Sequence, residues 1–363
     1  MSVNSNENTE RLKYIDGYKG IACLCIMLGH FCGIYKYSSD ISAIQNGFMD
    51  VLTRRPFSFF TDENFWLVFF MLVSGYLCAK SAFWKIENLL SLIRYCAARF
   101  FRLAIPILFS CLIIYIIQIT LGFHGYKLEN IIHNKWFTSG YQEHLGIFDV
   151  AVSPFKTLVL GENVFVPPYW CLRDILEGTV IIYISDYIAM MFEKHLNKIG
   201  IYFVTIMAFS GAMILLVKPL VIVVLMGSLL SLFENYIEKV HIPVPICYLM
   251  LFAPVLAFEI RINSLSIAIC FGLCLIGIKR ISVIQKALEA RPMKFLGELS
   301  WGIFSYHWAI LSSVGAICFM SMSESSIAFM LMLMVSIVVT ILISFIDYKC
   351  IVPLTKKVIN WIK

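Results

Sequence analysis

Long apolar runs, broken only by short charged segments, leave this chain few ways to fold. The runs cover about 18–35, 63–79, 103–121, 169–192, 199–217, 219–233, 244–260, 264–278, 295–320 and 326–346. Each is long enough, or nearly so, to cross about 30 Å of hydrocarbon as a helix rising 1.5 Å per residue. Hydrophobic residues make up 60% of the chain and charged residues 14%. A soluble domain carries roughly a quarter charged residues, and mean hydropathy here is +0.83. The expected fold is therefore all-α: a polytopic transmembrane helix bundle of about ten spans. Residues 1–13 are polar and are expected to be disordered. Residues 14–348 then form the membrane domain and 349–363 a cytoplasmic tail. No small-residue cleavage site follows the first apolar run, which reads as a retained signal-anchor helix rather than a signal peptide.

The net charge of +6 does not point to nucleic acid, because the cations fall at membrane boundaries. With the N-terminus in the cytoplasm, 20 of the 29 Lys and Arg lie in cytoplasmic segments. That bias predicts both termini inside, in an inner or plasma membrane crossed many times. The longest polar stretch, 122–168, with His124, His133, Glu143 and His144, is then external. It is far longer than a connecting turn, which marks it as a functional loop. Trp66, Trp136, Trp170, Trp301 and Trp361 fall near the expected interfaces. The twelve cysteines sit mostly inside apolar runs and show neither a CxxC pair nor zinc-ligand spacing. They read as small buried residues, and no metal is expected.

Four stretches, and a fifth near the end of the chain, could carry chemistry. In the first apolar run, Lys19 and His30 are the residues that are neither apolar nor small. Eleven positions apart, they lie about 20° apart around a helix and about 16 Å apart along it. An ionisable group near mid-membrane is costly, so His30 is either a satisfied core histidine or a functional base. The run Phe70–Leu77 holds Ser74, Gly75 and Tyr76; a Ser-Gly pair in a span permits close helix packing, with direct chemistry as the rival role. Arg99 and Arg102 are three apart on one helix face at the cytoplasmic rim. They suit a phosphate, although orientation alone also calls for Arg there. At the external mouth of another span stand Trp170, Arg173, Asp174 and Glu177. They are a polar platform for an external acceptor, unless Arg173 and Glu177 simply pair with each other. His307 places a second imidazole about midway across a span.

Taken together, these stretches resemble the membrane-bound acyltransferases of family 3, which acylate envelope carbohydrates. Asp16-Gly17-Tyr18-Lys19-Gly20-Ile21-Ala22 through His30 resembles the family's opening D-G-x-R-G-x-A…H. Phe70 to Leu77 resembles F-x-x-S-G-[FY]-L, and Arg99, Arg102 and Pro106 resemble its R-x-x-R…P segment. Trp170-Cys171-Leu172-Arg173-Asp174 is similar to W-[FY]-L-R-D, and Leu296-Gly297 through His307 to the family's closing motif. Lys19 replaces the commoner Arg, Trp301 a Tyr, and Ala309 a Pro. The resemblance implies an O-acyltransferase that uses acyl-CoA, most often acetyl-CoA, as a co-substrate with no permanently bound cofactor. It implies Arg99, Arg102 and Lys19 on the CoA phosphates and His30, with Lys19, at the chemistry. A carbohydrate hydroxyl, on a polysaccharide or lipid-linked glycan, would be the acceptor. It would meet Trp170, Arg173, Asp174, Ser74, Tyr76 and His307. The rival reading is a secondary transporter or proton-coupled channel using His30 and His307, but the chain shows no duplicated halves.

Overall fold

The computed structural model describes residues 12–42, 44–138, 141, 145–163, 165–322 and 325–362, and no strand occurs among them. The polar N-terminal segment through Arg11, together with Glu143 and His144, lies outside the described residues. Ten long helices carry the fold: α1 Lys13–Lys36, α2 Glu63–Ala82, α3 Leu89–Thr120, α4 Leu172–Phe192 and α5 Lys198–Leu215; then α6 Pro219–Lys239, α7 Val244–Glu259, α8 Ser264–Arg280, α9 Arg291–Ile310 and α10 Ser326–Ile362. Each falls on one of the ten apolar runs. The chain is an all-α, multi-pass membrane protein.

Eight of these helices are long and apolar enough to span by themselves; α4 counts from Pro167 and α9 through Met320. The other two are α7 and α8. α7 has 16 residues and reaches only about 24 Å. α8 turns through 101° into the short helix Ser282–Leu288. The two pack on each other as a hairpin. Residues 349–362 continue α10 as helix. An apolar run marks where lipid ends, not where backbone hydrogen bonding ends.

Side-chain caps start several of these helices. Asp62 accepts from Phe65 N at 2.8 Å, and Asn263 accepts from Ser266 N at 2.9 Å. Asn88 and Ser91 cap reciprocally at the start of α3. Two glycine contacts set how closely the helices approach. A Cβ at Gly75 of α2 would lie 1.8 Å from Val224 O of α6, and one at Gly297 of α9 would lie 2.1 Å from Asp16 O of α1. The second contact seats α1, with Lys19 and His30, directly against α9, with His307. The stretch after α3 folds into short helical turns, Gly125–Leu128, Glu129–Ile132 and Lys135–Thr138, then Ile147–Phe155.

Candidate active site

His30 stands near the C-terminal end of α1 and lines a cleft of about 140 Å³ with Glu63, Asn64, Trp136 and Trp170. Its Nδ1 lies 2.9 Å from Ile26 O. A carbonyl only accepts, so Nδ1 carries the proton and Nε2 keeps the lone pair. His307 of α9 repeats the arrangement, with Nδ1 donating to Ile303 O at 2.8 Å. The two rings lie 4.9 Å apart between centroids. His307 is fully buried, and its Nε2 has no hydrogen-bond partner among the described residues. The same holds for the indole Nε1 of Trp308, whose ring meets His30 edge-on at 5.3 Å. A buried polar atom without a partner is costly. Here an acceptor and a donor are both left open beside a base.

The loop after α3 closes this cleft. Trp136 lies parallel to the His30 ring at 6.0 Å and meets Trp308 at 4.5 Å. Buried Asn134 fixes its position, donating from Nδ2 to Gly33 O at 3.1 Å and Ile34 O at 2.8 Å. Its Oδ1 accepts from Phe137 N at 3.1 Å. One amide thus adds a second donor to two carbonyls at the end of α1, which also accept from Tyr37 N and Ser38 Oγ, and holds the turn that carries Trp136.

At the other end of α1, Lys19 lines a cleft of about 510 Å³ with Arg102, Trp301, Asp347 and Lys356. Lys19 lies 3.7 Å from Asp16 Oδ1. Buried Asp347 accepts from Tyr306 OH at 2.8 Å. The structure therefore brings Lys19 and Arg102 together. Arg99 does not line this cleft. Between the two clefts stands buried Tyr169, whose ring meets Trp301 at 5.7 Å and Phe304 at 5.9 Å. Its hydroxyl donates to Ser305 Oγ at 2.7 Å.

A family model described as an acyltransferase domain, that of acyltransferase family 3, matches residues 12–348. The chain belongs to acyltransferase family 3. No curated protein and no solved structure matches it. This membrane acyltransferase has the two clefts at opposite ends of one helix. Both open on α1, and the match takes in His30, Lys19, Arg102, Asn134 and His307 alike.

The remaining expected site residues of this acyltransferase are scattered. Trp170 borders the His30 cleft. Arg173 donates from Nε to Glu177 Oε1 at 2.8 Å and from Nη1 to Leu160 O at 3.2 Å. Lys218 also pairs with Glu177, so the internal pairing weighed from sequence is present. Asp174 borders the same charged group, its carboxyl facing Glu177, Lys218 and Arg173. Ser74 is half-buried beside Gly75 at the α2–α6 crossing. Tyr76 lies at the Lys19 end of the bundle, donating to Glu234 Oε1 at 2.8 Å. Lys80 reaches Glu234 at 2.7 Å, and Lys279 pairs with Glu234 and Glu238. No grouping of three or more His, Cys, Asp or Glu suited to a metal occurs among the described residues.

Sequence reasoning missed Asn134, Asp347, Lys356 and the role of Trp136. Asp347 sits one residue past the apolar run, and Lys356 sits in what reads as a tail. Asn134 had one available signal: an Asn-x-x-Phe turn inside an apolar-flanked loop. That pattern is too common to single out.

Proposed function

We propose that the chain is an acyl-CoA-dependent O-acyltransferase. It would move an acyl group, acetyl in the first instance, from cytoplasmic acyl-CoA to a hydroxyl of an envelope or extracellular carbohydrate. The observation that carries this reading is the division of one helix between two clefts. α1 offers Lys19 to a cationic cleft at one end and His30, with Nε2 free, to a cleft at the other. The orientation drawn from the Lys and Arg distribution puts the Lys19 cleft in the cytoplasm. Lys19, Arg102 and Lys356 would hold the donor's phosphates there through charge-assisted contacts. The acyl-bearing arm would pass inward along α1, displacing the Tyr169 ring from between Trp301 and Phe304. His30 Nε2 would take the proton of the attacking hydroxyl as that oxygen adds to the thioester carbonyl. The new ester bond forms as the carbon–sulfur bond breaks, and the proton passes from His30 to the departing thiolate. His307 Nε2 and Trp308 Nε1 would orient the acceptor, the one accepting and the other donating. Trp136 would cover the site and exclude water.

The test is acyl transfer in proteoliposomes containing only this protein, with labelled acetyl-CoA added to one side and oligosaccharide enclosed on the other. The expected result is label on the enclosed sugar, abolished by His30→Ala. Absence of acylation, with a proton or solute flux in its place, would turn the reading over to the transporter.

A further inference from the structure

A second outward cleft, of about 570 Å³, lies beside the His30 cleft and shares Asn64 with it. It forms where the end of α1, the start of α2 and the α7–α8 turn converge. Lys36, Arg55 and Arg261 line it against one carboxylate, Asp62. Asp62 is already engaged as the cap of α2. Glu259 holds Arg55, accepting from Nη1 at its backbone O at 2.8 Å and lying 3.6 Å away at its carboxylate. Arg261 is exposed at the hairpin tip with φ 56°, a backbone region that Gly or Asn occupies at lower cost. The opposite wall is apolar, made by Phe65, Val68, Phe258 and Ile262.

Cations at this end of the bundle work against the orientation rule. Membrane orientation therefore does not account for three of them lining one cleft, where Arg55 alone of the three has a carboxylate partner among the described residues. A cationic rim over an apolar wall at a membrane boundary matches one kind of ligand, an anionic headgroup with a hydrocarbon chain attached. Arg supplies the forked donor geometry that phosphate oxygens accept. We infer that this cleft holds the phosphate or diphosphate headgroup of a lipid-linked acceptor. The start of the lipid chain lies on the Phe65–Ile262 wall, and the rest of the acceptor passes Asn64 into the His30 cleft. The purpose of the cleft rests on the acyl-transfer reading; its ligand chemistry does not.

Isothermal titration calorimetry on the purified full-length protein tests this with three probes: farnesyl diphosphate, farnesol and inorganic pyrophosphate. The expected result is binding of farnesyl diphosphate, at least tenfold weaker binding of pyrophosphate, and none of farnesol. Lys36→Ala with Arg261→Ala should weaken farnesyl diphosphate at least tenfold. Among the described residues neither side chain forms an ion pair, so their removal leaves no buried charge exposed. Arg261→Lys alone should recover part of the affinity lost in Arg261→Ala. Pyrophosphate binding as tightly as farnesyl diphosphate would make this a free-phosphate site and overturn the lipid assignment. Unchanged farnesyl diphosphate binding in the double Ala variant would overturn the site. His30→Ala should bind the probe normally. Loss of probe binding with acylation of a soluble sugar retained would therefore fault this cleft alone. Acylation by His30→Ala would fault the catalytic reading alone.

Discussion

His30 and His307 face each other across the α1–α9 contact with ring centroids 4.9 Å apart, and each commits its Nδ1 to the carbonyl one turn back in its own helix. Both therefore present a lone pair at Nε2, yet their surroundings differ: His30 opens on a cleft, and His307 is sealed. A base must exchange its proton with substrate, so the open ring suits that task and the sealed ring suits orientation. His30→Gln keeps hydrogen-bonding capacity without basicity. It should lose roughly 10²–10⁴-fold in kcat, the usual contribution of a general base, and should be as inactive as His30→Ala. His307→Gln still accepts a hydrogen bond and should keep at least a tenth of wild-type turnover. Steady-state kinetics of the two Gln variants at matched expression decide this. Turnover retained by His30→Gln and lost in His307→Gln would exchange the two roles.

Asn134 offers a separate test of how the loop over His30 is held. Asn134→Ala removes two hydrogen bonds to the end of α1. That should cost roughly 1–3 kcal/mol of local stability, because the loss occurs in a buried setting. The turn that carries Trp136 would then lose that anchor. KM for the acceptor should rise several-fold while KM for the donor stays put, because the Lys19 cleft lies at the other end of α1. A rise in donor KM alone would separate Asn134 from the acceptor side.

The helix content was legible in the sequence because each apolar run is long and nearly unbroken, and the backbone in lipid has no other way to satisfy itself. The same argument loses force at α7 and α8. A 15-residue run supports a helix but does not say whether the helix crosses alone. Lys19 and His30 were legible as one face because a helix fixes the angle between them. Arg99 and Arg102 were legible as a pair but not as a pair at one cleft. Three residues leave about 60° between them, enough to leave Arg99 off the cleft that Arg102 lines. Contacts that join distant stretches carry no local signature. Asn134 to Gly33 and Tyr306 to Asp347 are of that kind, and so is the placing of Lys356 and Arg102 on one cleft.

The Ser74-Gly75 pair tests packing against chemistry in α2. A methyl at Gly75 would meet Val224 O at 1.8 Å, and one at Gly227 would meet Leu72 O at 2.0 Å, so either helix must move. Gly75→Ala should destabilise the protein by about 1–3 kcal/mol, as overpacking does, and lower its thermal midpoint in detergent. Ser74→Ala removes one hydroxyl from a half-buried position and should leave kcat/KM within about twofold. A tenfold or greater loss in Ser74→Ala, with the midpoint unchanged, would move Ser74 into the acceptor site.

The last prediction divides the two arginines of α3. Arg102 lines the cleft that holds Lys19 and Lys356, whereas Arg99 does not line it and buries its Nε without a hydrogen-bond partner among the described residues. Arg102→Ala removes a charge-assisted phosphate contact, worth roughly 1.5–3 kcal/mol, and should raise donor KM about ten- to a hundredfold. Arg102→Lys should recover only part of that, because the planar fork is lost. Lys356→Ala should act in the same direction and more weakly, since one point charge at the rim is screened by solvent. Arg99→Ala should change donor KM less than threefold, its effect falling on the yield of folded protein through the contact of α3 with α4. Titrating acetyl-CoA against all four variants at saturating acceptor settles the division. Equal rises in donor KM for Arg99→Ala and Arg102→Ala would mean that α3 rotates on donor binding to bring both guanidinium groups onto the phosphates.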